Sequence, residues 1–127
     1  MADRKRILIL DDSPIALAVA SEALAARGHQ VATAGDILEF QELLDAFRPE
    51  LVLTDLEMPD LPGHEVVRVL KGDGATEKIP VVIFSARPEA ELGALAEEVG
   101  ADGWLSKAEG PERLGELMDE LIESILW

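Results

Sequence analysis

The sequence predicts an α/β domain: one five-stranded parallel sheet with helices on both faces. Three observations carry this. Short continuous aliphatic runs alternate five times with segments of helical spacing, as expected for strands buried on both sides. Each run is bounded by turn residues, with no repeat, low-complexity stretch or linker between units. The 127 residues make about one domain, large enough for a single packed core.

The first strand is Ile7 to Leu10. Ser13 can cap the following helix, with Pro14 at its first position, Leu17 and Leu24 seven apart, and Gly28 at its end. His29 to Thr33 is a shorter second strand. Asp36 can cap a second helix carrying Ile37, Phe40, Leu44 and Phe47. Pro49 separates it from a third strand, Leu51 to Thr54. A loop through Met58-Pro59-Asp60-Leu61-Pro62-Gly63 leads to a helix containing Val66, Val67 and Leu70, closed by Gly72 and Gly74. Pro80 opens the fourth strand, Val81 to Phe84, and the next helix carries Leu92, Leu95 and Val99 and ends at Gly100. Asp102 to Leu105 is a short fifth strand. The last helix has the clearest stripe: Leu114, Leu117, Met118, Leu121, Ile122 and Ile125. Alternating βα units imply right-handed crossovers, and helices on both faces require a switch point in strand order.

Composition narrows the function. Twenty-six acidic against 11 basic residues give a formal net charge of −15. Such a surface repels nucleic acid and anionic membrane and suits a cation or a basic partner. Without cysteine there is no disulfide framework, thiol nucleophile or Cys-based zinc site. Arg4-Lys5-Arg6 precedes only four apolar residues, too few for a signal-peptide core or a membrane span. The chain reads as soluble and cytoplasmic. Neither G-x-G-x-x-G nor G-x-x-x-x-G-K-[ST] occurs, which disfavours a nucleotide-binding protein.

Four polar landmarks each follow an apolar run: Asp11-Asp12, Asp55, Ser85 and Lys107. In one parallel sheet all four converge at the carboxyl edge, where open α/β sheets bind ligands. Three carboxylates, one hydroxyl and one ammonium describe a site for a divalent cation and a phosphoryl group. Alone, each has a plainer role. Asp12-Ser13-Pro14 is a loop and cap, Asp55 a solvated strand-end acid, Ser85 a helix cap, and Lys107 a surface lysine. Their common register favours the site. His29 and His64 are expected to face solvent and form no metal pair.

The motifs Ile-Leu-Asp-Asp-Ser at 9–13, Leu-Thr-Asp-Leu-Glu-Met-Pro-Asp-Leu-Pro-Gly at 53–63, Ile-Phe-Ser-Ala at 83–86 and Asp-Gly-Trp-Leu-Ser-Lys at 102–107 occur in this order. With them the chain resembles a response-regulator receiver domain of two-component signalling, similar to the chemotaxis receivers, over residues 1–127. The resemblance implies the flavodoxin-like strand order 2-1-3-4-5, which sets strands 1 and 3 beside the switch point. It implies that Asp55 accepts a phosphoryl group from a sensor histidine kinase or phosphotransfer protein. It implies magnesium held by Asp11, Asp12, Asp55 and the backbone carbonyl of Glu57, with Ser85 and Lys107 on phosphate oxygens. Trp104 stands at the switch position usually filled by Tyr or Phe. The face of helix 4, strand 5 and helix 5 is where an effector, or a second copy in a homodimer, would dock. No separate catalytic output is implied.

Some positions vary from the family pattern. Ala108 follows the lysine where proline is usual, and Ser85 is the smaller of the two common hydroxyl residues. Glu57 and Arg87 occupy variable positions and can meet as a charge pair gating water. The tail Ile125-Leu126-Trp127 is expected to pack on the sheet or mark a dimer face. Two alternatives stand beside the switch reading. One is a pseudo-receiver adaptor that needs no phosphorylation. The other is a magnesium-dependent phosphohydrolase with Asp55 as nucleophile and Glu57 as acid/base.

Overall fold

The aliphatic runs do become the strands of one parallel sheet. The computed structural model describes residues 4–55, 57–58, 61–72, 74 and 76–125. The sheet comprises β1 (Arg6–Leu10), β2 (Gln30–Ala34), β3 (Leu51–Thr54), β4 (Val81–Ser85) and β5 (Gly103–Ser106), in the order β2-β1-β3-β4-β5. All four ladders are parallel. The helices are α1 (Pro14–Ala25), α2 (Ile37–Ala46), α3 (Gly63–Gly72), α4 (Glu89–Val99) and α5 (Pro111–Ile125). The expected order is therefore observed, with the switch point between β1 and β3.

Strand alternation divides the core. Ile7, Ile9, Leu51, Leu53, Val82, Phe84 and Leu105 face one side, against Ala20 and Leu24 of α1 and Leu114, Met118 and Ile122 of α5. Leu8, Leu10, Val52 and Val81 face the other, against Phe40 of α2 and Val66, Val67 and Leu70 of α3. Full burial of each such aliphatic side chain contributes roughly 1.5–3 kcal/mol. The stripe predicted on the last helix is the face α5 buries. Leu114, Met118 and Ile122 form its centre, with Leu117, Leu121 and Ile125 packed around them.

The predicted caps are made. Ser13 Oγ accepts from Ala16 N–H at 3.2 Å with Pro14 at the first helical position, and Asp36 Oδ1 accepts from Glu39 N–H at 2.9 Å. Gly100 ends α4 at φ +82°, a left-handed conformation that costs a glycine nothing. Strands β2 and β5 each begin one residue later than expected. Where a plain loop is expected after Asp55, Glu57–Met58 and Leu61–Pro62 pair as a short antiparallel hairpin. Two-residue strands are too short to carry a periodic signal.

His29 corrects the sequence reading. It is buried, not solvent-facing. The turn before it ends at Gly28 with φ +93°, and the chain then enters β2 beside the start of β1. The His29 Nδ1 accepts from Lys5 N–H at 3.1 Å, so its proton sits on Nε2, which donates to Asp119 Oδ1 at 2.8 Å. The other Asp119 oxygen takes Arg27 at 2.8 Å through both Nε and Nη2. One α5 carboxylate thus ties α1, β2 and α5 together at the amino-terminal end of the sheet. His64 has its side chain outside the described residues, as does the tail residue pair Leu126-Trp127.

Asp119→Ala leaves a buried imidazole N–H without its acceptor. A lost partner of this kind costs about 1–3 kcal/mol, so urea unfolding should give a stability lower by that amount. A loss under roughly 0.5 kcal/mol, the range of ordinary surface changes, would show that water replaces the carboxylate.

Candidate functional site

The carboxyl ends of β1 and β3 lie side by side, and each is followed at once by an acid. Asp11 N–H donates to Ala34 O at 3.1 Å, and Asp55 N–H donates to Leu10 O at 3.0 Å. These bonds extend the ladders by one rung, so both acids stand on sheet geometry rather than on loops. Thr54 Oγ donates to the Asp55 carbonyl at 3.0 Å inside the core. Asp11 is 1% exposed and Asp55 is also buried, while Asp12 is exposed. Carboxylate oxygens of Asp11, Asp12 and Asp55 lie within 4.8 Å of one another.

Like charges this close need a counter-charge, and Lys107 supplies one. Its Nζ donates to Asp11 Oδ2 at 2.7 Å and to Asp55 Oδ2 at 3.2 Å. Burial alone would pull the ammonium's pKa down. The hydrogen bond to Asp11 and the charges of Asp55 and Asp11 outweigh it and hold the pKa above the usual 10.5. Lys107 is therefore fully charged across the neutral range.

The backbone after β5 aims that ammonium. Residues Lys107–Glu109 form a single 3₁₀ turn, capped by Ser106 Oγ, which accepts from Ala108 N–H at 3.2 Å. No cis peptide bond occurs among the described residues. Ala108, with an N–H that proline lacks, is what allows this cap.

Ser85 ends β4, fully buried, beside Ser106 in register. Its Oγ accepts from Arg87 N–H at 3.1 Å, so the hydroxyl proton remains to donate. Trp104 is half-buried on β5 and lies toward α4. Its Nε1 comes within 3.6 Å of where a Cβ on Gly93 would sit. A cavity of about 680 Å³ adjoins it, lined by Gly93, Trp104, Leu117 and Leu121 among others. The expected Glu57–Arg87 pair involves a glutamate side chain outside the described residues.

The structure thus brings together Asp11, Asp12, Asp55 and Lys107, and sets Ser85 and Trp104 on the neighbouring strands. Sequence reasoning missed Thr54 and Ser106, the hydroxyls that bond the Asp55 carbonyl and the Ala108 N–H beside the site. Their only signal is a hydroxyl at the last position of an otherwise apolar strand. It also missed the direct contact of Lys107 with both acids.

The acidic cluster lies at the switch point of a doubly wound sheet, the place where open α/β sheets bind their ligands. Residues 7–119 match the response regulator receiver domain, and the chain belongs to that family of phosphorylation-controlled signalling domains. It is 39% identical over 121 residues to the gliding motility regulatory protein of Myxococcus xanthus, covering 94% of this chain and 16% of that protein. It is 33% identical over 111 residues to the DNA-binding response regulator MtrA of Mycolicibacterium smegmatis, covering 87% and 47%. To protein PilH of Pseudomonas aeruginosa it is 34% identical over 109 residues, covering 86% and 90%. The chain therefore spans less than half the length of the first two. The chemotaxis response regulator CheY4 of Vibrio cholerae has the same fold, with a TM-score of 0.82 at 26% identity, covering 94% of this chain and 99% of that one. No described helix is long and apolar enough to cross a membrane.

Lys107→Met removes the compensating charge from two buried acids and should lower stability by about 1–3 kcal/mol. The folded lysine pKa is raised, so its contribution is complete below 10.5 and is lost as pH rises through the folded value. Urea melts of both proteins should show a gap at pH 8 that narrows above pH 10.5. A gap that is absent at pH 8, or that widens with pH, contradicts this role for Lys107.

Proposed function

We propose that this domain is a signalling switch in which Asp55 accepts a phosphoryl group from the phosphohistidine of a sensor kinase or phosphotransfer protein. One observation carries the reading: the carboxylates of Asp11, Asp12 and Asp55 share one 4.8 Å cluster, with an ammonium already 3.2 Å from Asp55. A nucleophilic carboxylate must approach an electron-rich phosphorus; the ammonium reduces that repulsion directly, and the acids do so through the cation they would hold.

The donor set suits magnesium, which favours hard oxygens and needs only one or two carboxylates beside phosphate. Asp11, Asp12 and Asp55 would hold it, with the Glu57 carbonyl on the adjoining hairpin. When bound it neutralises the facing charges and orients the reacting oxygens. Asp55 contributes the attacking oxygen: its bond to phosphorus forms as the phosphorus–nitrogen bond of the donor breaks and the imidazole leaves. Lys107 and Ser85 donate to the equatorial oxygens, where charge is spread. Lys107 then exchanges a carboxylate for a phosphoryl oxygen without leaving the site.

The output follows from Ser85. Drawn toward the phosphoryl group, it vacates space next to β5 that Trp104 can enter, leaving its seat against Gly93 on α4. The α4–β5–α5 face would change shape, and an effector, or a second copy of the chain, would read it. This is a two-state equilibrium biased by contacts that exist only with the phosphoryl group. The strongly acidic surface argues against direct nucleic-acid or membrane binding by this domain. The reading includes no separate enzymatic output and fits the cytoplasm. Glu57 and Arg87 would gate the water that hydrolyses the acyl phosphate.

Acetyl phosphate with magnesium should add one phosphate to the wild type by intact mass and none to Asp55→Asn. An undiminished adduct in Asp55→Asn would overturn the assignment. Beryllofluoride with magnesium, a mimic of the acyl phosphate, should change Trp104 emission in a Trp127→Phe background. Unaltered emission with Asp55 occupied would make the indole a passive part of β5.

A further inference from the structure

The Lys107 ammonium has a third neighbour besides the two acids. Its Nζ lies 5.4 Å from the centre of the Phe84 ring. Phe84 is on β4, paired in register with Leu105, and its ring belongs to the α1–α5 side of the core at 7% exposure. Ring and lysine line the same cavity of about 330 Å³, which Ile15 and Leu114 also border. An aliphatic side chain would fill such a core position, as Val81, Val82 and Ile83 do on the same strand. A phenyl ring adds something they lack. Its face carries negative partial charge and attracts a cation within about 6 Å of its centre.

This attraction differs in kind from the two ion pairs. Asp11 and Asp55 are charged oxygens that a divalent cation or a phosphoryl group would claim. Phe84 neither titrates nor ligates a hard cation, so its hold on the ammonium is the same whatever occupies the acids. A lysine on four methylenes that loses both carboxylates otherwise becomes a free, strongly hydrated charge with its rotamers released.

We propose that Phe84 is a positioning residue for Lys107, keeping the ammonium in the site while its anionic partners change from the Asp11 and Asp55 carboxylates to phosphoryl oxygens. The proposal rests on the phosphoacceptor reading of Asp55. No bond to Phe84 forms or breaks; the ring acts only through the lysine.

The test is the rate at which acetyl phosphate with magnesium phosphorylates Asp55, followed by intact mass. The proteins are wild type, Phe84→Leu, Lys107→Met, the double variant, and the chain with pentafluorophenylalanine at position 84. The last keeps the ring's shape and reverses the charge of its face, and it carries the test should Phe84→Leu not fold. Phe84→Leu and the fluorinated chain should each be slower, by roughly threefold to thirtyfold for a partly desolvated cation–π contact. Phe84→Leu should cause no further loss once Lys107 is methionine. A fluorinated chain as fast as wild type, or the same loss from Phe84→Leu with and without Lys107, would overturn the proposal and leave Phe84 a core filler. A wild type that takes up no phosphoryl group would overturn the Asp55 reading, and the proposal with it.

Discussion

Two ionised acids that end adjacent strands are costly to bury together unless a cation stands between them. That constraint organises this molecule. The backbones of Asp11 and Asp55 are fixed by the last rungs of β1 and β3, so the main chain cannot shift to separate them. Removing charge from water is costly unless it is paired and hydrogen-bonded. Lys107 meets both requirements, with one nitrogen on two carboxylates from two strands. To do so it must come from a third strand end, β5, which places β4 and Ser85 between. The order β2-β1-β3-β4-β5 is the arrangement in which these side chains meet.

The two ends of the sheet are built differently. At the amino-terminal end, Asp119 locks α5 to His29 and Arg27, and every partner is a fixed protein group. At the carboxyl end, the pairing would be exchangeable under the proposed function, since a metal ion or a phosphoryl group would take over either side of it. Helix α5 is therefore held by a tie of fixed protein groups at one end of the sheet, while the β5 end beside the site is where the proposed switch would respond. Trp104 sits between these regimes, on β5 and against a glycine of α4.

The sheet was legible because buried parallel strands leave unbroken aliphatic runs, and the caps were legible because Ser13-Pro14 and Asp36 act within one turn. The acids and the lysine were legible as strand-end residues in register. What escaped depends on contacts between distant segments. His29 looks like any turn histidine until α5 brings Asp119, ninety positions away, beneath it. Thr54 and Ser106 look like ordinary strand ends. Their hydroxyls matter because they brace Asp55 and Ala108 locally. Lys107 reads in sequence as a phosphate ligand; its resting partners follow only once the crowding of the acids is seen in space.

Under the proposed function, Lys107 and a divalent cation would compete for the same carboxylate oxygens. Magnesium affinity, measured by isothermal titration calorimetry for wild type and Lys107→Met at one ionic strength, tests it most directly. A unit positive charge and a doubly charged ion sharing one carboxylate cluster repel by roughly 1–2 kcal/mol even in water, and removing the lysine charge relieves that. Lys107→Met should therefore bind magnesium about tenfold more tightly. Equal or weaker binding by the folded variant would contradict it.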